Sequence, residues 1–252
     1  NITLLNAARK LDNSCYDLSG KVFVTAGLGG MSGAQPKACV IAGGICVVAE
    51  INEKATVKRH QQKWVDEIYN DLSKLFKRVE IARKNKESIS IAFQGNIVDC
   101  WEYIAANNIE IELGSDQTSL HNPYSGGYDP VGLSFDESNE MIKNNPKKFK
   151  SKVQESLIRH VNAINKLTDK GLYFFDYGTA FLHESKKAGA DITSDDEFKY
   201  PSYVQDIMGP MCFDYGYGPF RWVCTSNSKE DLSTTDEIAI KVLEEMLPDS
   251  PK

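Results

Sequence analysis

The sequence of 252 residues predicts an α/β fold: a doubly wound parallel sheet with helices on both faces. Two observations predict it. Short apolar segments rich in β-branched or aromatic residues alternate with longer segments of helical periodicity. Polar clusters follow the apolar segments, as expected where the carboxyl ends of parallel strands share one ligand-binding edge. Such alternation implies right-handed crossovers between parallel strands.

The individual elements follow from these periodicities. The predicted strands are residues 22–25, 45–50, 89–93, 109–113 and 172–175. The predicted helices are residues 34–42, 57–84, 97–106 and 149–167. In the segment 57–84, apolar residues recur at intervals of three and four, which predicts one long amphipathic helix.

The pattern changes after Gly189. Residues 191–197 are acidic and loop-like, and residues 200–222 are rich in proline, glycine and aromatic residues without a period. Residues 231–246 are helical again, with Ile238, Val242 and Leu243 on one face. We therefore predict an irregular and helical C-terminal extension, and a domain boundary that separates residues 1–203 from residues 204–252.

The composition excludes several classes of partner. A net charge of −6 argues against nucleic acid, which needs a basic face. The one basic cluster is interpreted as a solvated surface, although binding stays open as an alternative; it comprises Lys147, Lys148, Lys150 and Lys152. No apolar segment is long enough to span a bilayer, and no signal peptide is visible, so no membrane partner is expected.

The cysteines indicate the compartment. The six cysteines lack CxxC spacing, and three of them, Cys39, Cys46 and Cys100, lie in or beside apolar segments, where we expect small core residues. This cysteine usage is typical of a protein in the reducing cytoplasm and not of one held together by disulfides. The four histidines lack metal-ligand spacing with the cysteines, so no metal site is expected.

A glycine-rich turn follows the first predicted strand. Gly27, Gly29, Gly30 and Gly33 precede a predicted helix, and Glu50 ends the next strand. Main-chain N–H groups in such a turn can approach a pyrophosphate, and an acid about 20 residues further on can bind a ribose diol. The acid would repel a 2′-phosphate, which favours NAD over NADP. A tight turn without a ligand stays open as the alternative.

Longer motifs identify a family. The chain resembles urocanase (urocanate hydratase) in the segments 25–35 (TAGLGGMSGAQ), 95–96 (GN), 116–121 (DQTSLH), 176–178 (DYG) and 218–222 (GPFRW). The resemblance covers nearly the whole chain and implies a Rossmann-like NAD-binding domain followed by the start of a C-terminal domain. It also implies a hydro-lyase that adds water to urocanate, gives imidazolonepropionate in histidine degradation, and uses NAD⁺ as an electrophile. A homodimer is implied for the full-length protein.

The resemblance also assigns residues to the NAD site. It places Gly30, Met31 and Ser32 at the pyrophosphate and Glu50 at the adenosine ribose. The remaining cofactor contacts it implies are Asn96, Ile97, Gln117, Thr118, Ser119, Leu120, His121, Tyr128, Asp129 and Tyr177. Two departures weaken the transfer. Ala55 stands where bacterial relatives carry a basic residue next to the adenosine, and an extra glycine in the segment 125–127 blurs the alignment at Tyr128 and Asp129.

Several residues keep a second interpretation. Asn96 is also a favoured helix N-cap, and Tyr177 could be a core aromatic. For His121 we weigh cofactor contact against acid–base chemistry. Arg221 could clamp the urocanate carboxylate as a substrate-binding residue, or stack on Trp222 instead.

The family's catalytic-cysteine signature, FQGLPARICW, is absent from the sequence, so no catalytic residue is assigned. We expect a fragment that binds NAD weakly and does not turn over urocanate alone. The alternatives are an NAD-dependent dehydrogenase, a nucleotide-binding module and a domain without a ligand. A short-chain dehydrogenase is disfavoured because the sequence has no Tyr-x-x-x-Lys pair.

Overall fold

The structure is a computed structural model that describes residues 1–116, 122–216 and 224–246. The chain divides into two compact units, Asn1–Tyr215 and Gly216–Lys252. The strands of the first unit are β1 (Val22–Ala26), β2 (Ile45–Glu50), β3 (Glu67–Tyr69), β4 (Ile89–Gln94), β5 (Leu113–Asp116), β6 (Tyr173–Asp176), β7 (Thr193–Ser194) and β8 (Glu197–Phe198). Its helices are α1 (Ile2–Leu11), α2 (Gln35–Ile41), α3 (Glu53–Gln61), α4 (Leu72–Asn85), α5 (Ile97–Ala106), α6 (Phe135–Asn144), α7 (Pro146–Thr168), α8 (Ala180–Ala188) and α9 (Gly209–Met211).

The first six strands form one parallel sheet in the order β3-β4-β2-β1-β5-β6, and β7 and β8 form a separate antiparallel pair. From β1 the chain passes to β2, then to the edge strand β3, and then back to β4, which lies between β2 and β3. It next crosses to the other side of β1, where β5 and β6 lie. This reversal beside β1 is where doubly wound folds bind ligands. The predicted α/β fold is confirmed.

Helices cover both faces of the sheet because successive side chains of each strand point in opposite directions. On one face, Val24 and Val47 pack with residues of α4, α5, α7 and α8, including the fully buried Trp101. On the other face, Phe23 and Cys46 pack with residues of α1 and α2. The strands buried on both faces explain the nearly continuous apolar runs in the sequence.

The predicted long helix over residues 57–84 is wrong. The structure has α3, the edge strand β3 and α4 in this region. The chain leaves α3 through Lys63, whose φ is 58°, and β3 pairs with β4 from Glu67 to Tyr69. Asp71 then caps α4, its side chain accepting from the N–H of Lys74. Two short helices around an edge strand thus reproduce the spacing of one long helix.

The strand predicted at residues 109–113 is displaced: β5 begins at Leu113 and ends at Asp116. Leu113 pairs with Phe23, the second residue of β1, so Glu112 lies level with Val22 at the amino end of β1 and the earlier residues extend beyond it. There the Glu112 carboxylate accepts from the Val22 N–H at 2.8 Å and from Arg83 at 2.7 Å. Residues 109–111 therefore lead into the sheet, and the Glu112 carbonyl makes the first main-chain bond to β6, accepting from the Tyr173 N–H at 3.0 Å.

The other predicted elements match closely. The strand 45–50 and the helix 97–106 have the predicted bounds, and the strands predicted at 22–25, 89–93 and 172–175 coincide with β1, β4 and β6 to within a residue at each end. The helices predicted at 34–42 and 149–167 correspond to α2 and α7. Cys39, Cys46 and Cys100 are buried, and all six cysteines are free.

The second unit contains α10 (Lys229–Met246) among its described residues. The Ser228 hydroxyl accepts from the Asp231 N–H at 3.3 Å and so caps the helix start. Ile238, Val242 and Leu243 are exposed on this helix. Among the residues that the structure describes, no helix combines the length and apolarity needed to cross a membrane.

Candidate functional site

A cleft of about 240 Å³ lies at the carboxyl ends of β1, β2 and β4. It is bounded by the glycine turn after β1, by Glu50 and the residues that follow it, by the start of α5, and by a loop that precedes α6. The lining residues are Ala26, Gly27, Gly29, Ser32, Ala49, Glu50, Ile51, Asn52, Ala55, Gly95, Asn96, Ile97, Gly126, Gly127, Tyr128, Asp129 and Phe135. The fold thus brings together several residues predicted to bind the cofactor.

Glu50 holds the glycine turn at its start. One carboxylate oxygen accepts from the Leu28 N–H at 2.7 Å, and the other accepts from the Asn52 N–H at 2.8 Å. The Gly27 N–H bonds to the Ala49 carbonyl at 2.9 Å, and Gly27 has a φ of 92°, which L side chains rarely adopt. A carboxylate can accept about four hydrogen bonds, so Glu50 keeps capacity for further donors.

Arg59, on α3, binds the turn from the other side and was not predicted from the sequence. Its guanidinium donates to the carbonyl oxygens of Leu28 at 3.1 Å, Gly29, and Gly30 at 3.3 Å. It also lies over the Trp64 ring, 4.9 Å from the centroid. An arginine in a helical segment does not reveal by itself that the fold will bring it to a turn about 30 residues earlier.

Three main-chain N–H groups of the turn, those of Gly29, Gly30 and Met31, have no hydrogen-bond partner within the described part of the chain. All three residues are exposed. The helix that follows is short, because Ser32–Ala34 form a 3-10 turn and α2 has seven residues. The groups in this region that could donate to an anion are therefore the amides of the turn, since no long helix begins here.

A buried polar network supports the turn from below. The Thr25 hydroxyl lies 2.9 Å from Gln35 Oε1 and 2.9 Å from the Ser115 hydroxyl. Gln35 Nε2 donates to the Ala26 carbonyl at 3.3 Å. Since buried polar groups are costly unless they are hydrogen-bonded, this network fixes the end of β1 against α2 and β5.

Asn96 caps α5, and the sequence-based alternative of an N-cap is confirmed. Its Oδ1 accepts from the Val98 N–H at 2.9 Å, and its Nδ2 donates to the Asp129 carbonyl at 2.8 Å. The side chain therefore joins the start of the helix to the loop that closes the cleft. Ile97 lies beside it and is buried.

Tyr128 and Asp129 both line the cleft. The Tyr128 side chain is only 2% exposed, and its hydroxyl lies 3.2 Å from Nδ1 of the buried His160. Burial lowers the pKa of His160 to about 3, so the imidazole is neutral at pH 7. Burial raises the pKa of Asp129 to about 6, and the Glu50 carboxylate adds to the rise.

Two further acids, Asp116 and Asp176, end the neighbouring strands β5 and β6 and pair in register. Asp176 accepts from the N–H groups of Phe181 and Leu182, at 3.1 and 3.4 Å, so it caps α8. Burial raises its pKa to about 6 despite these bonds, and the nearby Asp116 adds to the rise.

Tyr177, next in the chain, is not among the residues lining the cleft. Its ring packs on Phe175 at 5.4 Å and on Tyr203 at 5.2 Å, as in the core-aromatic alternative. Six predicted site residues, Gln117, Thr118, Ser119, Leu120, His121 and Arg221, lie outside the described residues.

Two family models match the sequence. The urocanase Rossmann-like domain matches residues 1–207, and the urocanase C-terminal domain matches residues 210–249. Proteins named "Probable urocanate hydratase" in Caenorhabditis elegans and Dictyostelium discoideum are each 54% identical, over 97% of this chain and 37% of their own length. The human protein named "Urocanate hydratase" is 51% identical over 100% of this chain and 38% of its own length.

The chain therefore spans about 37% of the length of these curated relatives. Among solved structures, a short chain dehydrogenase from Pseudomonas syringae superposes with a TM-score of 0.32 at 15% identity, over 68% of this chain and 54% of its own. That superposition is too loose to indicate a function.

Proposed function

Because this chain belongs to the urocanase family, we propose that its cleft holds NAD, with the diphosphate at the glycine turn and a ribose at Glu50. The observation that carries the proposal is the set of N–H groups at Gly29, Gly30 and Met31, which have no partner among the described residues, beside a carboxylate that keeps acceptor capacity. Amide donors suit a diphosphate, and a carboxylate suits the two hydroxyls of a ribose.

The same donor set favours NAD over NADP. A 2′-phosphate on the ribose would bring negative charge against Glu50, and the charge of Glu50 already adds to the raised pKa of the buried Asp129. None of the residues that line the described cleft is a lysine or an arginine that could neutralise such a phosphate. Only part of the dinucleotide fits a volume of about 240 Å³.

The family resemblance extends the proposed site beyond these residues. Ser32, Asn96, Ile97, Tyr128, Asp129, Tyr177 and residues 117–121 are the further cofactor contacts that we propose. The Asn96 amide and the Tyr128 hydroxyl already have protein partners. We therefore expect these two residues to shape the cofactor surface through their positions, with few new hydrogen bonds.

For the full-length protein we propose hydration of urocanate to imidazolonepropionate, with Arg221 binding the substrate carboxylate and two copies forming a cytoplasmic dimer. When bound, NAD⁺ would supply an electron-withdrawing nicotinamide ring to this chemistry. The domain boundary proposed from the sequence, after residue 203, assigns the cofactor to the first part. Neither a membrane nor a nucleic acid is a proposed partner.

Binding of NAD and NADP to the purified chain tests the proposed site. We expect titration calorimetry to give a dissociation constant for NAD at least about tenfold below that for NADP. Glu50→Gln should weaken NAD binding. It should also reduce the ratio between the NADP and NAD dissociation constants, because it removes the charge that repels the 2′-phosphate. Glu53→Gln is the matched control, since it makes the same change at an exposed residue of α3.

Two outcomes would contradict the cofactor proposal: equal affinity for NAD and NADP in the wild-type chain, or no heat of binding with either at millimolar concentration. Urocanate absorbance provides a separate test of activity. We expect the chain to leave it unchanged when NAD is present, because the catalytic-cysteine signature is absent from the sequence. A steady fall in absorbance would show that the chain is active alone.

A further inference from the structure

We propose that Arg59 is a positioning residue that aims the N–H groups of Gly29, Gly30 and Met31, which have no partner in the described part of the chain, at the diphosphate. The inference rests on the proposed NAD site. Arg59 is 9% exposed, so its charge is largely removed from water. No ion pair joins it to a carboxylate within the described residues. Burial of a charged group costs free energy unless its N–H groups form hydrogen bonds. Those of Arg59 bond to carbonyls of the turn and to Gln62.

The geometry of the peptide group links Arg59 to the free donors. The carbonyls that it binds belong to Leu28, Gly29 and Gly30. The N–H groups of the same three peptide units are those of Gly29, Gly30 and Met31. Because the described chain has no cis peptide bonds, each N–H points away from the carbonyl of its own peptide unit. By holding the carbonyls on one side, Arg59 directs the three free donors to the other.

The guanidinium is itself held in place. Gln62 Oε1 accepts from Nη1 at 2.9 Å, and the Trp64 ring lies 4.9 Å from the guanidinium carbon. Gly33 leaves the necessary space, because a Cβ built there would lie 2.2 Å from Arg59 Nε. A planar fork with several donors can bind three carbonyls at once, which the single ammonium of lysine cannot reproduce.

The charge of Arg59 also bears on the ligand. Glu50 and Asp129 line the cleft, and none of its described lining residues is a lysine or an arginine. A guanidinium on the carbonyl side of the turn polarises the three peptide groups and makes their N–H groups stronger donors. A diphosphate at the turn would therefore meet main-chain N–H donors whose peptide carbonyls are bound by the buried Arg59 guanidinium.

Substitution of Arg59 tests this role through the diphosphate itself. We compare adenosine, which lacks a diphosphate, with ADP and NAD, which carry one. In Arg59→Lys, the affinities for ADP and NAD should fall about tenfold or more, while the affinity for adenosine stays within about twofold of wild type. Lys58→Gln is the control, because it removes a positive charge from an exposed neighbour on the same helix.

Gly33→Ala provides a second route that keeps the charge. Its methyl group would displace the guanidinium, so we expect the same selective loss for ADP and NAD. Amide NMR shifts of Gly29 and Gly30 should move in both variants, which confirms that the turn has changed. Circular dichroism identifies any variant that fails to fold, and the other variant then decides.

The outcomes separate this inference from the proposed function. If the wild-type chain binds NAD and the folded variants bind ADP and NAD as tightly as wild type, the role of Arg59 is wrong and the NAD site stands. Equal losses for adenosine, ADP and NAD would indicate general damage and would also overturn the role. If wild type binds neither ADP nor NAD, both proposals fall.

Discussion

The cap of α8 should make the stability of the first unit depend on pH. Asp176 ends β6, is 4% exposed, and accepts from the Phe181 and Leu182 N–H groups. Burial raises its pKa from 3.8 to about 6, against the effect of the hydrogen bonds. The substitution Asp176→Asn keeps an oxygen acceptor for the cap and removes the titrating charge, so we expect it to flatten the dependence of unfolding free energy on pH.

The size of the effect follows from the shift in pKa. A rise of about two units corresponds to roughly 3 kcal/mol, since one unit is about 1.4 kcal/mol. The folded state binds the proton more tightly than the unfolded chain does. The stabilisation is therefore complete below about pH 4 and is lost as the pH rises to about 6. Asp176→Asn should consequently gain up to roughly 3 kcal/mol relative to wild type over this interval.

Urea unfolding between about pH 4 and about pH 8, followed by far-UV circular dichroism, measures this difference. Asp71→Asn is the matched control, because it makes the same change at an exposed cap, that of α4. The control measures what the same exchange does at a helix cap that is exposed. Parallel wild-type and Asp176→Asn curves across the whole range would refute the reasoning.

Three further predictions concern stability, each measured by urea unfolding. The difference in unfolding free energy between His160→Asn and wild type should shrink as the pH falls from about 6.5 towards 3, because the lowered pKa of His160 costs the wild type up to roughly 5 kcal/mol of stability in acid. A difference that stays constant over this range would contradict the prediction. Gly114→Ala should destabilise by about 1–3 kcal/mol, since its Cβ would lie 2.8 Å from the Trp101 ring; an unchanged midpoint would show that the core gives way. Lys86→Gly should stabilise the fold by about 0.5–1 kcal/mol, because Lys86 follows the last residue of α4 and has a φ of 54°; a loss of stability would mean that the lysine side chain contributes.

Local signals explain which parts of the fold were predictable. The helix Ile97–Ala106 was predicted with its bounds because Asn96 is a strong cap and an apolar periodicity follows it. The strand Ile45–Glu50 was predictable because both faces are buried. By contrast, β3 has three residues, of which Ile68 is 38% exposed, so its sequence lacks the apolar run of a buried strand.

The candidate site was predictable where single residues carry a chemical signal. Glu50 follows the glycines at the spacing expected of a ribose-binding acid, and the structure places it in the cleft. Its bond to the Leu28 N–H was not predictable, because it depends on the relative position of two strands. Arg59 was missed for the same reason, since its acceptors are main-chain carbonyls that no sequence pattern marks.

Glu50 and Arg59 together fix the conformation of the turn that the glycine motif permits. They are the last residue of β2 and a residue of α3, and they hold the same turn through opposite kinds of group, an N–H and three carbonyls. Glycine permits the turn but does not select one conformation, because its main chain has more freedom than that of other residues. Gly33 is needed for another reason, because a Cβ at this position would collide with the Arg59 guanidinium. The N–H donors of the turn are therefore oriented before any ligand binds, by two residues of the segment from β2 to α3. A glycine turn without these two residues would have to become ordered when its ligand binds.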